Sequence, residues 1–520
     1  MSFLKNEKTK QFLCVLTTVL LILHPVIELD YLLPESWPLP RLTTLIDLIV
    51  LPLLVILTFL CFEQRKKRVL LCFIPYAVLF GIYFLLHCRQ ANELQYQLFL
   101  PDNFVFLLKD EIVYTLALLL PLVYVYVFAL QGYGEEVLKK ITVSLSCLTA
   151  VPIFLSNLFV FGRSTYQGYT IANFFSWFSL PFNDNEFHPR KYASKFFFEE
   201  GNTIGVLLII TLPLLYYFFI RSEKKNEKIT LGSLIAVHSL SMIILSTRVA
   251  TYGTVLVPAA LFVIYIILFV LKYEKIRKSY LIFLLVMTVA CGAIIPFGPA
   301  YQNQQIDAMD YGYLVVHEND RKSGRESVKR AGEGLVKYSK EWYDFYTYVF
   351  EDNLFLIGVT PPIYYTEWYD YHHDPQFWVD LMFDYDLEER VSGRQIENIF
   401  TRYKFDPLPT QQKLLGMGYG TFMRGGIVIK QDLKMQYYQY GLIGFLFLMA
   451  PWLLITAGLG ILLLLGYKKK QWNYLNVILL MAFCIGLLAS YISGHVLDEL
   501  TASLVMALYA GTLYRRLRHE

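Results

Sequence analysis

Apolar runs of about 20 residues, each closed by a short polar break, recur along this chain and leave few options for the fold. A hydrocarbon core about 30 Å thick is crossed by roughly 20 residues of α-helix. Lipid offers no partner to backbone N–H and C=O groups, so such runs read as helices that satisfy themselves. The expected spans are 11–29, 42–62, 69–87, 110–130, 141–161, 202–220, 229–246, 251–271, 279–299, 437–465, 473–491 and 497–514. The fold class is therefore all-α, a polytopic membrane protein with about twelve transmembrane helices. A composition that is 56% hydrophobic agrees with it.

Positive charge orients those spans. Half of the 46 Lys and Arg residues sit in seven short breaks, at 5–10, 65–68, 139–140, 221–228, 272–278, 468–470 and 515–518. If all seven are cytoplasmic under the positive-inside rule, both termini lie inside. The longest polar stretch, 301–436, then lies on the outer face. The chain divides as a bundle of nine spans in 1–300, an extracytoplasmic loop in 301–436, and three spans with a cytoplasmic tail in 437–520. Nine spans before the loop and three after it do not favour a transporter built from two equal halves. The basic start and first apolar run read as a retained first helix, since no small-residue cleavage site follows.

A net charge of +3, sorted by side, gives no basic patch for nucleic acid, which is not an expected partner. All seven cysteines fall within or at the ends of apolar spans. The loop contains none, so it offers no disulfide framework, zinc site or thiol nucleophile.

The loop is too long for a simple connection. Charged residues at helical spacing opposite an apolar and aromatic side predict an amphipathic helix over 325–350, lying on the bilayer or on the bundle. A second helix is expected from about Ser392 through IENIFTRYKF. Between them, 359–374 holds Pro361, Pro362, Tyr364, Tyr365, Trp368, Tyr369 and Tyr371. That density suits stacking on sugar rings, and equally an interfacial belt or a packed core.

Five segments carry candidate chemistry. Arg248 opens the eighth span, where a charge flanked by apolar helix needs water, headgroups or an anionic partner. The alternatives are a snorkelling arginine and a guanidinium aimed at a lipid-linked phosphate. Arg394 stands in SGR at 392–394, ahead of LLGMGYGTF at 414–422, whose Gly416, Gly418 and Gly420 permit close backbone approach. Lys430, Asp432 and Lys434 precede QYYQYGLIGF. Asp432 there is either a general base for a hydroxyl or a solvated charge at a helix start. SGHVLDE brings His495 and Asp498 into the last outer turn, as acid–base groups or as structure. EEGNTIG puts Glu200 and Asn202 where they end a loop or bind a polar headgroup or sugar.

Taken in this order, the segments resemble the O-antigen ligase and polymerase family of polytopic C-fold glycosyltransferases. The resemblance covers roughly 195–510 and rests on the TR pair at Arg248, SGR followed by LLGMGYG, the polar cluster before YGLIG, SGHVL, and EEGNTIG. It implies transfer of a glycan from an undecaprenyl-diphosphate carrier to an acceptor hydroxyl, outside the bacterial cytoplasmic membrane. Arg248 and Arg394 would neutralise the diphosphate leaving group in a metal-independent, inverting reaction that needs no cofactor. Glu200, Asn202, Gly418, Gly420, Lys430 and Lys434 would line the substrate site. The implied partners are the lipid-linked oligosaccharide donor, a glycan, wall or lipid acceptor, the bilayer, and other polysaccharide-assembly proteins. Lipopolysaccharide ligases carry a His eleven positions before the Gly of the GLIG-type turn. This chain has Lys430 there, which leaves Asp432 or His495 as the base. The alternative from another class is a lipid-linked glycan flippase or other twelve-span transporter.

Overall fold

The computed structural model describes residues 6–34, 36–64, 66–101, 104–165, 191–353, 356–359, 364–423, 429–466 and 471–519. Lys5, Arg65 and Lys468 to Lys470 of the basic breaks, and Pro361 and Pro362 of the aromatic stretch, lie outside the described residues.

The first part of the chain is a bundle of α1 (Glu7–Ile27), α2 (Leu42–Leu45), α3 (Leu51–Phe62), α4 (Lys66–Glu93), α5 (Leu108–Gln131), α6 (Glu135–Leu158), α7 (Gly201–Arg221), α8 (Lys225–Ile244), α9 (Arg248–Val270) and α10 (Lys278–Ile294). The π-helical turn Ile46–Val50 joins α2 and α3 into one rod. Shorter helices follow: α11 (Pro299–Val316), α12 (Glu318–Ala331), α13 (Lys340–Asp352), α14 (Pro375–Asp384), α15 (Leu387–Arg390), α16 (Gly393–Phe405), α17 (Thr410–Leu415) and α18 (Tyr419–Met423). The chain then returns to the bundle through α19 (Asp432–Leu448), α20 (Ala450–Leu465), α21 (Tyr474–Ile492) and α22 (Leu500–His519).

Among the described residues, eleven helical segments are long and apolar enough to cross a membrane, and none of those residues forms a strand. The twelfth expected span is α22. Arg515, Arg516 and Arg518 close it and Thr501, Ser503 and Thr512 interrupt it, so it is less apolar than the others, yet it runs buried against α5, α7 and α21. Small residues bring it close: a methyl on Gly511 would stand 2.9 Å from Phe128 Cβ, and Ala507 and Ala510 are fully buried beside it.

Helix α7 occupies the centre. Its sequence is apolar on every side, which suits a position with no lipid-facing or aqueous surface. It is buried almost end to end and touched by α6, α8, α9, α21 and α22. At the periphery, α4 exposes Leu71, Leu79 and Leu85, as a lipid-facing helix does.

The loop builds a second core around Trp342, Phe350, Tyr369, Trp378, Ile396 and Phe400. We call the end of the bundle that carries it the loop face. The single amphipathic helix expected over 325–350 is two helices. The chain turns between α12 and α13, where Gly334 takes φ 93° and Tyr338 φ 62°, and the capped α13 then points Trp342, Tyr346 and Phe350 inward. Helix α16 begins at its Ser392 N-cap as expected. Segment 94–107, which nothing in the sequence linked to the loop, completes this core with Leu94, Tyr96, Phe99 and Phe104. Phe99 N–H donates to the His373 carbonyl at 3.0 Å. At its centre the buried pair Lys404 and Asp374 is ringed by Tyr96, Phe104, Tyr369, Phe400 and Tyr403. Tyr369 Oη donates to Asp374 at 2.7 Å, and Asp374 caps α14. A buried charge needs such partners to be tolerated.

Candidate active site

Chain re-entry at the loop face depends on a broken helix. Gly441 has φ 65° and ψ −177° inside α19, a conformation essentially closed to residues with a Cβ, and it interrupts the helical hydrogen bonding. The carbonyls of Tyr438 and Gln439 would accept from residues 442 and 443 in an unbroken helix. They accept instead from Met417 N–H at 3.1 Å and Gly418 N–H at 2.8 Å. Gly416 packs so close that a methyl there would overlap the backbone of Gln439 and Gly441. The expected glycine stretch is thus the plug in the GLIG-type break.

A carboxylate buried in the bundle fixes the other side of that plug. Glu111 Oε2 accepts the Tyr419 and Gly420 amides at 2.8 and 3.1 Å, and Oε1 lies 2.9 Å from His87 Nε2. His87 Nδ1 donates to the Leu415 carbonyl at 2.7 Å, and Gln90 Nε2 donates to the carbonyls of Gln412 and Gly416. The Gly418 and Gly420 amides are therefore committed to holding the loop. Sequence reasoning missed His87, Gln90 and Glu111. The available signal was the acid near the start of an otherwise apolar span.

Beside this plug, Asp432 and the turn between α21 and α22 interlock. Asp432 is wholly buried, and its Oδ2 accepts the amides of Val496 at 3.0 Å and Leu497 at 2.8 Å. Gly494 at φ 69° and His495 at φ 55° reverse the chain with two consecutive left-handed residues, a combination that must be held by its surroundings. Gly494 packs on the backbone of Lys430 and Gln431. The His495 carbonyl accepts from Thr203 Oγ1 at 2.8 Å, which ties the turn to the first turn of α7. Asp432 positions His495, and its own carboxylate is closed to solvent.

His495 is partly exposed and its Nδ1 lies 3.1 Å from Asp498 Oδ2. Burial alone would favour the neutral ring, but Asp498, with Asp432 and Glu200 farther off, pushes its pKa up to about 10. His495 is an imidazolium at neutral pH. Asp498 is steadied by Tyr114 Oη at 3.2 Å, and Gln436 Nε2 donates to Tyr114 at 2.8 Å. Tyr114 in turn stacks on Tyr419 at 3.7 Å between ring centroids. Beyond Asp498 opens a cavity of about 130 Å³ lined by Glu28, Asp47, Glu199 and Glu499, with His24 3.1 Å from both Glu28 and Asp47. Burial, reinforced by Glu28 and Asp498, raises the Glu499 carboxyl well above the usual carboxylate range.

Arg394 reaches this turn from the loop. It stands exposed on α16, and its Nη1 donates to the Ile492 carbonyl at 2.8 Å, three residues before His495. Lys430 Nζ lies 3.5 Å from Glu397 on the same helix. Four of the expected segments, around Arg394, Lys430 with Asp432, His495, and the start of α7, thus meet at one place. Lys434 is exposed two residues beyond Asp432 and so on a different side of α19. Glu200 is the N-cap residue of α7 and Asn202 lies in its first turn, half-buried.

Arg248 is apart from that cluster. It opens α9, is more than half exposed, and pairs with Asp307 of α11 at 2.9 Å. Gly205 of α7 packs against the neighbouring Thr247. Thr203 and Gly205 are two residues apart and so face different sides of α7. Among the described residues, no group of three His, Cys, Asp or Glu side chains converges as metal ligands would.

A polytopic helical bundle, a helical loop with its own core, and an arginine brought to an anchored histidine turn agree with the relationship the motifs suggested. A family model for O-antigen ligase like membrane proteins matches residues 6–520. The chain belongs to that family. The match extends well beyond 195–510, where the motifs lie, and includes α4, α5 and segment 94–107. Searches of curated proteins and of solved structures returned no match. As a member, the protein is an integral membrane protein whose family acts on glycans.

Proposed function

We propose that this protein is an inverting glycosyltransferase that works on the extracytoplasmic face of the bacterial cytoplasmic membrane. It moves a glycan from undecaprenyl diphosphate to the hydroxyl of a polysaccharide, wall or lipid acceptor. The acceptor oxygen attacks the anomeric carbon as the bond from that carbon to the diphosphate oxygen breaks. The departing diphosphate oxygen takes the electron pair of that bond and develops a negative charge, which the acceptor's hydroxyl proton neutralises once it has been passed on.

The observation that carries this reading is the hydrogen bond from Arg394 to the Ile492 carbonyl, which joins an exposed guanidinium to the His495 turn. Two cations, Arg394 and the imidazolium of His495, then face the charge that develops on the leaving group. Preorganised cations of this kind lower a barrier strongly in a water-poor site. Holding His495 protonated suits it to stabilise charge, and using it as a base would first require removing a firmly held proton. Asp432 positions the turn. Arg248 meets the diphosphate or its lipid from the far side of α7, after exchanging its ion pair with Asp307.

Purified protein given a short undecaprenyl-diphosphate oligosaccharide and candidate acceptors tests the proposal, with products read by mass spectrometry. Transfer is expected from the wild type, unaffected by chelators, and a fall of at least about 100-fold in Arg394→Ala, the size seen when a charge-stabilising donor is lost. Transbilayer movement of the donor without any transfer would replace this reading with that of a flippase.

A further inference from the structure

The loop face holds a group of side chains that the reaction above leaves unused. Tyr364, Tyr365, Tyr369 and Tyr371 of the aromatic stretch are buried in the second core, but Trp368 is 36% exposed. Trp368 meets Tyr364 edge to face, with centroids 4.7 Å apart. Lys430 Nζ stands 5.4 Å from the centroid of the indole. Beneath them lies Glu397, 2% exposed, whose Oε1 accepts from Tyr364 Oη at 3.1 Å and faces Lys430. Its Oε2 is buried with no partner among the described residues. Burial raises the Glu397 carboxyl, and Lys430 and Tyr364 oppose that rise.

Glu397 and Arg394 are three residues apart on α16 and so share one face, about 5 to 6 Å apart at Cβ. That spacing is close to the width of a hexose ring. A sugar presents C–H groups to an aromatic face and hydroxyls at its edge, and it asks for an apolar plate flanked by a carboxylate acceptor and an ammonium donor. Trp368, Glu397 and Lys430 are that combination, one helical turn from the guanidinium.

We infer that Trp368, Glu397 and Lys430 form the subsite for the sugar ring attached directly to the donor diphosphate, next to Arg394. This inference rests on the reading of Arg394 as a diphosphate ligand. Trp368 supplies the plate, Lys430 donates to a ring hydroxyl, and Glu397 orients Lys430 and accepts a hydroxyl hydrogen as the pair opens to the sugar. The subsite gives the protein its preference among donors, while Arg394 gives affinity for any lipid diphosphate.

The test is binding by the full chain in nanodiscs. The probes are bare undecaprenyl diphosphate and a panel of undecaprenyl-diphosphate monosaccharides, both hexoses and N-acetylhexosamines. Wild type is expected to bind at least one sugar-bearing lipid about tenfold more tightly than the bare lipid, a difference of about 1.4 kcal/mol. Trp368→Ala and Glu397→Gln should abolish that preference and leave bare-lipid affinity intact, Trp368→Phe should retain part of it, and Arg394→Ala should weaken both classes of probe. A preference that persists in Trp368→Ala and Glu397→Gln would overturn the subsite and leave the diphosphate reading standing. Equal weakening of all probes by Trp368→Ala would make the indole a bilayer anchor, and equal binding of all probes by the wild type would likewise end the subsite proposal. Unchanged bare-lipid affinity in Arg394→Ala would remove the diphosphate reading, and the subsite with it.

Discussion

Replacing Asp432 separates a positioning role from a catalytic one. Its Oδ2 holds two buried amides, Val496 N–H and Leu497 N–H, and through them the left-handed turn at His495. Hydrogen bonds contribute about 0.5 to 1.5 kcal/mol each, and about 1.5 to 3 to a charged acceptor, so the pair holds the turn by about 1 to 6 kcal/mol. Asp432→Ala removes both acceptors and leaves two buried donors without partners. Asp432→Asn keeps a carbonyl oxygen at the same place and exchanges charge-assisted bonds for neutral ones of roughly half the strength. A residue that only positions the turn should tolerate that exchange, whereas a general base deprived of its carboxylate loses about 10²- to 10⁴-fold in rate. The expected result is glycan transfer by Asp432→Asn within about tenfold of wild type. Asp432→Ala should fall far lower and melt earlier in detergent. If Asp432→Asn fell as far as Asp432→Ala while both stayed folded and monodisperse, the positioning argument would be refuted and Asp432 would be the base.

Three further outcomes follow from the same geometry. The folded pKa of His495 lies near 10, above the 6.5 of an unfolded histidine, so the folded state holds the extra proton between those values. Its stabilisation is complete below about pH 6.5 and is lost as pH rises towards 10, so thermal unfolding of His495→Gln should show a flatter pH profile over that window than wild type. Gly441→Ala forces a Cβ within 2.5 Å of Gly416 N and Leu414 O and strains the backbone by about 1 to 3 kcal/mol, so yield and melting temperature should drop, with Leu442→Ala as an exposed control that keeps both. Lys404→Met leaves the buried Asp374 without its cation, with Tyr369 Oη and the Phe377 amide still donating to it. A loss of about 3 to 5 kcal/mol is expected by chemical denaturation, partly recovered in the double variant with Asp374→Asn.

Several parts of this protein were legible in its residues. Long apolar runs allow little except helices in lipid, and a helix beginning near Ser392 followed from the IENIFTRYKF pattern; Ser392 is its N-cap residue, with no capping bond from its side chain. The choice of the SGR, KQD and SGHVLDE segments as candidates also followed from the residues, since each carries a charge or a glycine beside the expected membrane boundary, where it is either structural or used. The break between α12 and α13 was less legible. An amphipathic pattern continues across 332–339, and only the left-handed conformations at Gly334 and Tyr338 interrupt it. The role of the 359–374 aromatics was open for a related reason: core, belt and sugar plate ask for the same side chains.

What the sequence by itself determined is the class of fold and a set of candidate segments, because hydrophobic length and charge are properties of local segments. The tertiary structure decided which of these groups touch. It put Arg394 beside Ile492, set Asp432 as the buried anchor of the His495 turn, and left Arg248 paired with Asp307 on another side of α7. It also recruited Glu111 and His87, about 300 residues away, to hold the glycine plug. A carboxylate acts as a base in water and as a clamp when two amides close on it, and the amides that make the difference come from the far end of the chain.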